Sequence, residues 1–141
     1  MNLGFEPKRD GRAEPIGASM ERMPPSVADH LADPRHAGDL AGANGLGEAS
    51  DGQGRVVRVG LWRAGGGAVS RARFRATTCP ALVAYAEAAC RLAEEAALGG
   101  PAGLADRLRA AVSGVHPRHL DRAELVALAL QRALASPGDP A

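Results

Sequence analysis

The sequence predicts an α+β fold, a small antiparallel sheet packed against a layer of helices, and three observations predict it. Apolar and polar residues alternate from Arg55 to Thr77, interrupted once by a glycine run. Three helical patterns follow that stretch with no further strand between them. Aromatic residues make up only 3% of the 141 positions, so the layers must meet through Ala, Leu and Val. Strands that precede a block of helices, and do not alternate with them, give helices packed on an antiparallel sheet. A core of small side chains packs closely, and each lost methylene is felt.

Taken in order, residues 1–24 mix Gly, Pro, Arg and Glu without periodicity and are expected to be a disordered lead. Met20 and Met23 are alternative starts within it. The folded domain is expected over 25–136, with 137–141 as a tail. Ser26 to Ala32 suits two helical turns, stopped by Pro34. Residues 37–54 carry six glycines and read as a flexible loop, or at best a weak edge strand. The hairpin at 55–77 places Val57, Val59 and Leu61 on one strand and Ala72, Phe74 and Ala76 on the other, toward a core. Ala64 to Gly67 is the turn. A lone hairpin is marginal, so a third strand or a helix layer must cover it. Helices are expected over 80–98, 101–113 and 121–135. The first sets Leu82, Ala86, Ala89, Leu92, Ala93 and Ala96 against Glu87, Arg91, Glu94 and Glu95. Gly99-Gly100 is its expected stop, and Asp121 with Glu124 forms a capping box for the last helix.

Lys and Arg number 17 against 16 Asp and Glu, a balance that excludes nucleic-acid or membrane-surface binding driven by bulk charge. The two cysteines, Cys79 and Cys90, fall eleven positions apart on one expected helix and cannot pair while it is intact. No apolar run reaches spanning length, and no signal-peptide core opens the chain. A soluble cytoplasmic protein is expected.

The chemistry centres on Cys79, at the joint between the second hairpin strand and the long helix. Thr77 or Thr78 suits the N-cap and Pro80 the first helical turn. Exposed amides and the helix dipole there favour a thiolate, the form that attacks persulfides and binds soft metals. The plainer reading is a small apolar residue filling a strand–helix corner. His30, His36, His116 and His119, with Asp29, Asp33 and Asp121, are the other metal-ligand types, but none forms a close-spaced ligand pair. His116 and His119 lie in the loop before the last helix, and their plainer reading is a solvated loop. No nucleophile–base–acid arrangement or phosphate-cradling loop is visible, so a non-enzyme is expected. Arg58, Arg71, Arg73 and Arg75 form a basic stripe, either a solvated face or a dock for an acidic partner.

Asp29-His30-Leu31-Ala32-Asp33-Pro34-Arg35-His36-Ala37-Gly38 resembles the opening signature of the IscU/NifU N-terminal iron–sulfur scaffold family. Ala72 to Ala81 is similar to that family's strand into its cysteine turn and long helix, and Arg122 to Leu130 to its terminal helix. The resemblance runs in unbroken order over residues 27–135. It implies a non-catalytic scaffold for iron–sulfur cluster assembly that binds iron and sulfide transiently through Cys79. It also implies a cysteine desulfurase as sulfur donor and apo iron–sulfur proteins as clients. The family holds its cluster, or a zinc ion, with three cysteines and an aspartate, of which only Cys79 is matched. The first cysteine and the aspartate fall on Gln53-Gly54-Arg55, and the third cysteine near Asp121-Arg122 or on Pro117. The expected donors are then Cys79, His116, His119 and Asp121, for a [2Fe–2S] cluster or alternatively zinc. Two chains in a symmetric homodimer could complete four ligands. The alternative is a degenerate scaffold fold serving as an interaction module in the same pathway.

Overall fold

A computed structural model describes residues 24–65, 67–100 and 102–136. The lead expected over 1–24, apart from Pro24, and the tail over 137–141 lie outside the described residues. The elements are helix α1 (Val27–Ala32), strands β1 (Gly45–Ser50), β2 (Val56–Arg63) and β3 (Val69–Ala76), and helices α2 (Pro80–Glu94), α3 (Leu104–Ala111) and α4 (Arg122–Ala135). A single 3₁₀ turn, Pro117–His119, precedes α4. The α+β expectation holds.

The sheet is antiparallel in the order β1-β2-β3. Its third strand is β1, drawn from the glycine-rich stretch that read as a loop or a weak edge. Register pairs Gly47 with Val59 and Val59 with Phe74, so Gly45, Gly47 and Ala49 share the inner face with Val57, Val59, Leu61, Ala72 and Phe74. Gly47 shows why glycine is needed in that strand. A Cβ there would lie 2.0 Å from the Ala129 carbonyl oxygen and 2.4 Å from the Ala133 amide nitrogen, so the α4 backbone rests directly on the strand.

The β3 edge is covered and the β1 edge is capped at one carbonyl. The Arg132 guanidinium donates to the Glu48 carbonyl of β1 at 2.8 Å. On the far side, Gly38 N donates to Phe74 O at 3.0 Å and Phe74 N to His36 O at 2.9 Å. A covered edge removes the template for intermolecular strand pairing.

Helix α2 crosses the centre of the molecule. Every residue from Ala84 to Cys90 is buried, because β3, α1, α3 and α4 enclose the helix. Glu87 is only 4% exposed, which corrects its assignment to a solvent face. The helix also ends at Glu94, four residues short of the expected stop. Ala96 takes the left-handed conformation (φ 57°), its amide donates to Ala93 O, and Ala97 N donates to Leu92 O. These two bonds form a Schellman stop with alanine where glycine is usual.

Two caps also differ from expectation. Pro80 disfavours a helical conformation in the residue before it, so Cys79 itself is the extended N-cap (φ −137°, ψ 113°) and neither threonine is. Asp121 has helical dihedrals and makes no side-chain cap bond, because the 3₁₀ turn runs on through Leu120 into α4. A capping side chain needs an extended residue to reach back to the third amide. Among the described residues the capping box is Ser26 with Asp29 at α1.

Candidate functional site

Cys79 is carried to its position by β3. Thr77 N donates to Val56 O at 3.0 Å and the Thr77 hydroxyl accepts from Val56 N at 3.1 Å, which pins the end of the strand. The Cys79 carbonyl then accepts the first α2 bond from Val83 N at 2.9 Å. The thiol is half-buried, neither walled into the corner nor fully open. Cys90 is completely buried, and burial, aided by the nearby Glu87 and Glu94 carboxylates, pushes its thiol well above the ordinary range. Cys90 is therefore an inert structural thiol, and only Cys79 is open to reagents.

The charged side chain that interacts electrostatically with Cys79 is Arg122, the first residue of α4. Burial opposes the Arg122 charge, but hydrogen bonding and charge interaction with Cys79 and Asp121 outweigh it and hold the guanidinium above its usual range. Arg122 NH1 lies 2.5 Å from Asp121 Oδ1, and the arginine side chain is 11% exposed against 66% for the aspartate. A cleft of about 270 Å³ opens beside them, lined by Asp51, Asp121, Arg122, Glu124, Leu125 and Leu128 among others.

The β1–β2 loop closes on itself at the same end. Arg55 Nε donates to Asp51 Oδ2 at 2.6 Å, Arg55 NH2 bonds Gln53 Oε1, and Asp51 Oδ1 accepts from Gln53 N at 2.8 Å. That hydrogen bond from Gln53, with the Arg55 contacts, holds the Asp51 carboxyl below its ordinary range.

The four expected donors do not gather into one ligand set. Among the described residues no three His, Cys, Asp or Glu side chains converge to hold a metal ion. His116 and His119 face each other across the 3₁₀ turn with ring centroids 5.7 Å apart, and His116 Nδ1 accepts from Arg118 N at 3.1 Å. Asp121 is paired to Arg122. A thiol beside a guanidinium, with each nearby carboxylate already facing an arginine, does not fit a cluster that wants mostly thiolate ligands. What it leaves is a single partly exposed sulfur beside a cation, a site for one sulfur atom and not for a cluster. The sequence singles out Cys79, and only the resemblance, which sets the family's third cysteine near Asp121-Arg122, brings Arg122 to its side. Arg122 lies 43 positions away on another element, and no local pattern ties the two together.

The basic stripe is partly neutralised within the chain. Arg58 faces Glu48 at 3.3 Å, Arg73 binds Glu94 at 2.9 Å, and Arg71 stacks over Trp62 at 4.8 Å. Arg75 is exposed.

One comparison bears on kinship. The chain is similar to the bifunctional protein NifU/MnmA of Rubrobacter xylanophilus, with 35% identity over 116 residues. The match takes in 80% of this chain and 24% of the relative, so the chain spans about a quarter of that protein's length. No family model matches. No helix among the described residues is long and apolar enough to cross a membrane.

Proposed function

We propose that this chain is a NifU-like module of iron–sulfur assembly, non-catalytic, in which Cys79 accepts sulfur from a cysteine desulfurase. The likeness to NifU/MnmA supports the setting. The observation that carries the chemical role is the Arg122 guanidinium against the half-buried thiol at the mouth of α2. In the transfer, the Cys79 thiolate attacks the terminal sulfur of the donor's persulfide. The new S–S bond forms as the donor's S–S bond breaks, and the donor cysteine leaves as thiolate. No oxidant is needed, because a persulfide is exchanged for a persulfide. Iron and sulfide are cargo in this reading, handed on to apo client proteins.

Incubation with a cysteine desulfurase and cysteine, followed by intact-mass analysis, tests this. The wild type should gain one sulfur atom on Cys79 and Cys79→Ser none. Equal uptake by both, or uptake by neither, sinks the reading. Arg122→Ala should slow the transfer about tenfold, since a hydrogen bond to a charged group is worth about 1.5–3 kcal/mol and partial exposure screens part of it. A second reading has its own support. The Asp51–Arg55 and Asp121–Arg122 pairs occupy the stretches where the resemblance places the missing ligands, as in a fold kept for partner binding alone. That reading expects partner capture unaffected by Cys79→Ser and weakened by changes at Arg71 and Arg75.

A further inference from the structure

The segment from Pro25 to Gly38, containing α1, lies as a strap along α2 and is tied at both ends. Near its start Ser113 N donates to Pro25 O at 3.0 Å and Val27 N to Ser113 O at 3.1 Å; near its end His36 and Gly38 make the two bonds to Phe74 on the β3 edge. The middle of that second tie is a buried ion network. His36 Nε2 lies 2.8 Å from Glu94 Oε1, and His36 Nδ1 contacts Glu87 Oε2. Glu87 Oε1 also accepts from the His36 amide at 2.9 Å. Glu94 Oε2 accepts from Ala72 N at 2.8 Å and from Arg73 NH1 at 2.9 Å. The imidazole is 11% exposed and the Glu87 side chain 5%.

With both glutamates ionised and able only to accept, the two ring nitrogens that face them must both donate, which only the imidazolium does. Glu87 and Glu94 are then balanced by His36 and Arg73. The other titratable and charged groups around them are Cys90 and Arg91 on α2 and His30 on the strap, with Asp29 beyond it. Removing the His36 proton turns a lone pair toward a carboxylate oxygen and leaves one buried negative charge without a counter-charge. We propose that the far end of the strap is a proton-dependent latch, in which the His36 imidazolium bolts His36–Gly38 to α2 and loss of one proton releases that end, while the Ser113 bonds hold the other. Release uncovers the β3 edge at Phe74, five residues ahead of Cys79 on the strand that positions it. The latch is independent of sulfur chemistry at Cys79.

Two measurements test it. Imidazole nitrogen NMR should find both His36 nitrogens protonated at neutral pH; a neutral imidazole there overturns the latch. Amide exchange at Gly38 and Phe74, corrected for intrinsic rates and followed from about pH 6 to about pH 10, should show opening that grows by up to about tenfold per pH unit while the open state has lost the proton and the closed state keeps it, the slope of one linked proton. His36→Asn should remove that slope, and Glu94→Gln, at a more exposed position, should reduce it. A wild-type opening constant that is flat with pH, or the same slope in either variant, refutes the proposal.

Discussion

Cys79 and Cys90 belong to one helix and differ in exposure, which governs a reagent's access to the sulfur. Cys79 caps the helix beside a guanidinium, whereas Cys90 is fully buried and its thiol is pushed far up by desolvation. An alkylating reagent should therefore modify one thiol per native chain and two in denaturant, and Cys79→Ser should show none until unfolded. Peptide mass mapping checks the assignment. Tyr85 supplies a second residue-scale case. Its ring is completely buried, and its hydroxyl makes no hydrogen bond among the described residues. A buried polar atom without a partner costs about 1–3 kcal/mol. Tyr85→Phe should accordingly leave stability unchanged or raise it by up to about 1–2 kcal/mol, as read by urea denaturation.

At the scale of elements, the sequence reveals what periodicity controls and hides what tertiary contact controls. The alternation of Val57, Val59 and Leu61 and the run of alanines in α2 are visible because burial imposes them. β1 is hidden because its inner face is Gly45, Gly47 and Ala49, residues chosen for the close approach of α4 and lacking the side chains that announce a strand. The polar face assigned to α2 fails at Glu87 for a related reason: a buried carboxylate is allowed there only by His36, 51 positions earlier. Of the candidate site, Cys79 was legible from Thr77 to Pro80 and the place of Arg122 only through the resemblance, whereas the pairing of His116 with His119 was not. The early stop of α2 is likewise a backbone event at Ala96. Left-handed backbone costs an L-residue about 1–2 kcal/mol, partly offset in glycine by the entropy of its unfolded chain. Ala96→Gly should thus stabilise the protein by about 0.5–1 kcal/mol, and thermal melts would detect it. Ala96→Val should do the reverse, since a β-branched residue fits that conformation worst.

For the whole molecule, the buried titratable groups give stability a pH dependence with two separate acid-side windows. Burial, with the nearby Arg91 charge, holds His30 below its ordinary value of 6.5 despite Glu87, Asp29 and the Ala111 carbonyl. The unfolded chain therefore takes up a proton at His30 that the native chain resists. Stability from this group is fully present above about pH 6.5 and falls as pH drops through that value, until the native imidazole also protonates. Glu94 acts lower down. Its burial is outweighed by bonds from Ala72, His36 and Arg73, which hold the carboxyl below its usual range. Its contribution is present above the ordinary carboxylate value and lost as pH falls through the depressed native one. Urea midpoints measured downward from about pH 6.5, below the range in which the His36 latch opens, should hence decline first as His30 protonates in the unfolded chain and again in the carboxylate range. His30→Gln, which keeps a donor near the Ala111 carbonyl and cannot charge, should erase the first decline and leave the second. A first decline that survives in His30→Gln would assign it to other groups and remove His30 as the cause.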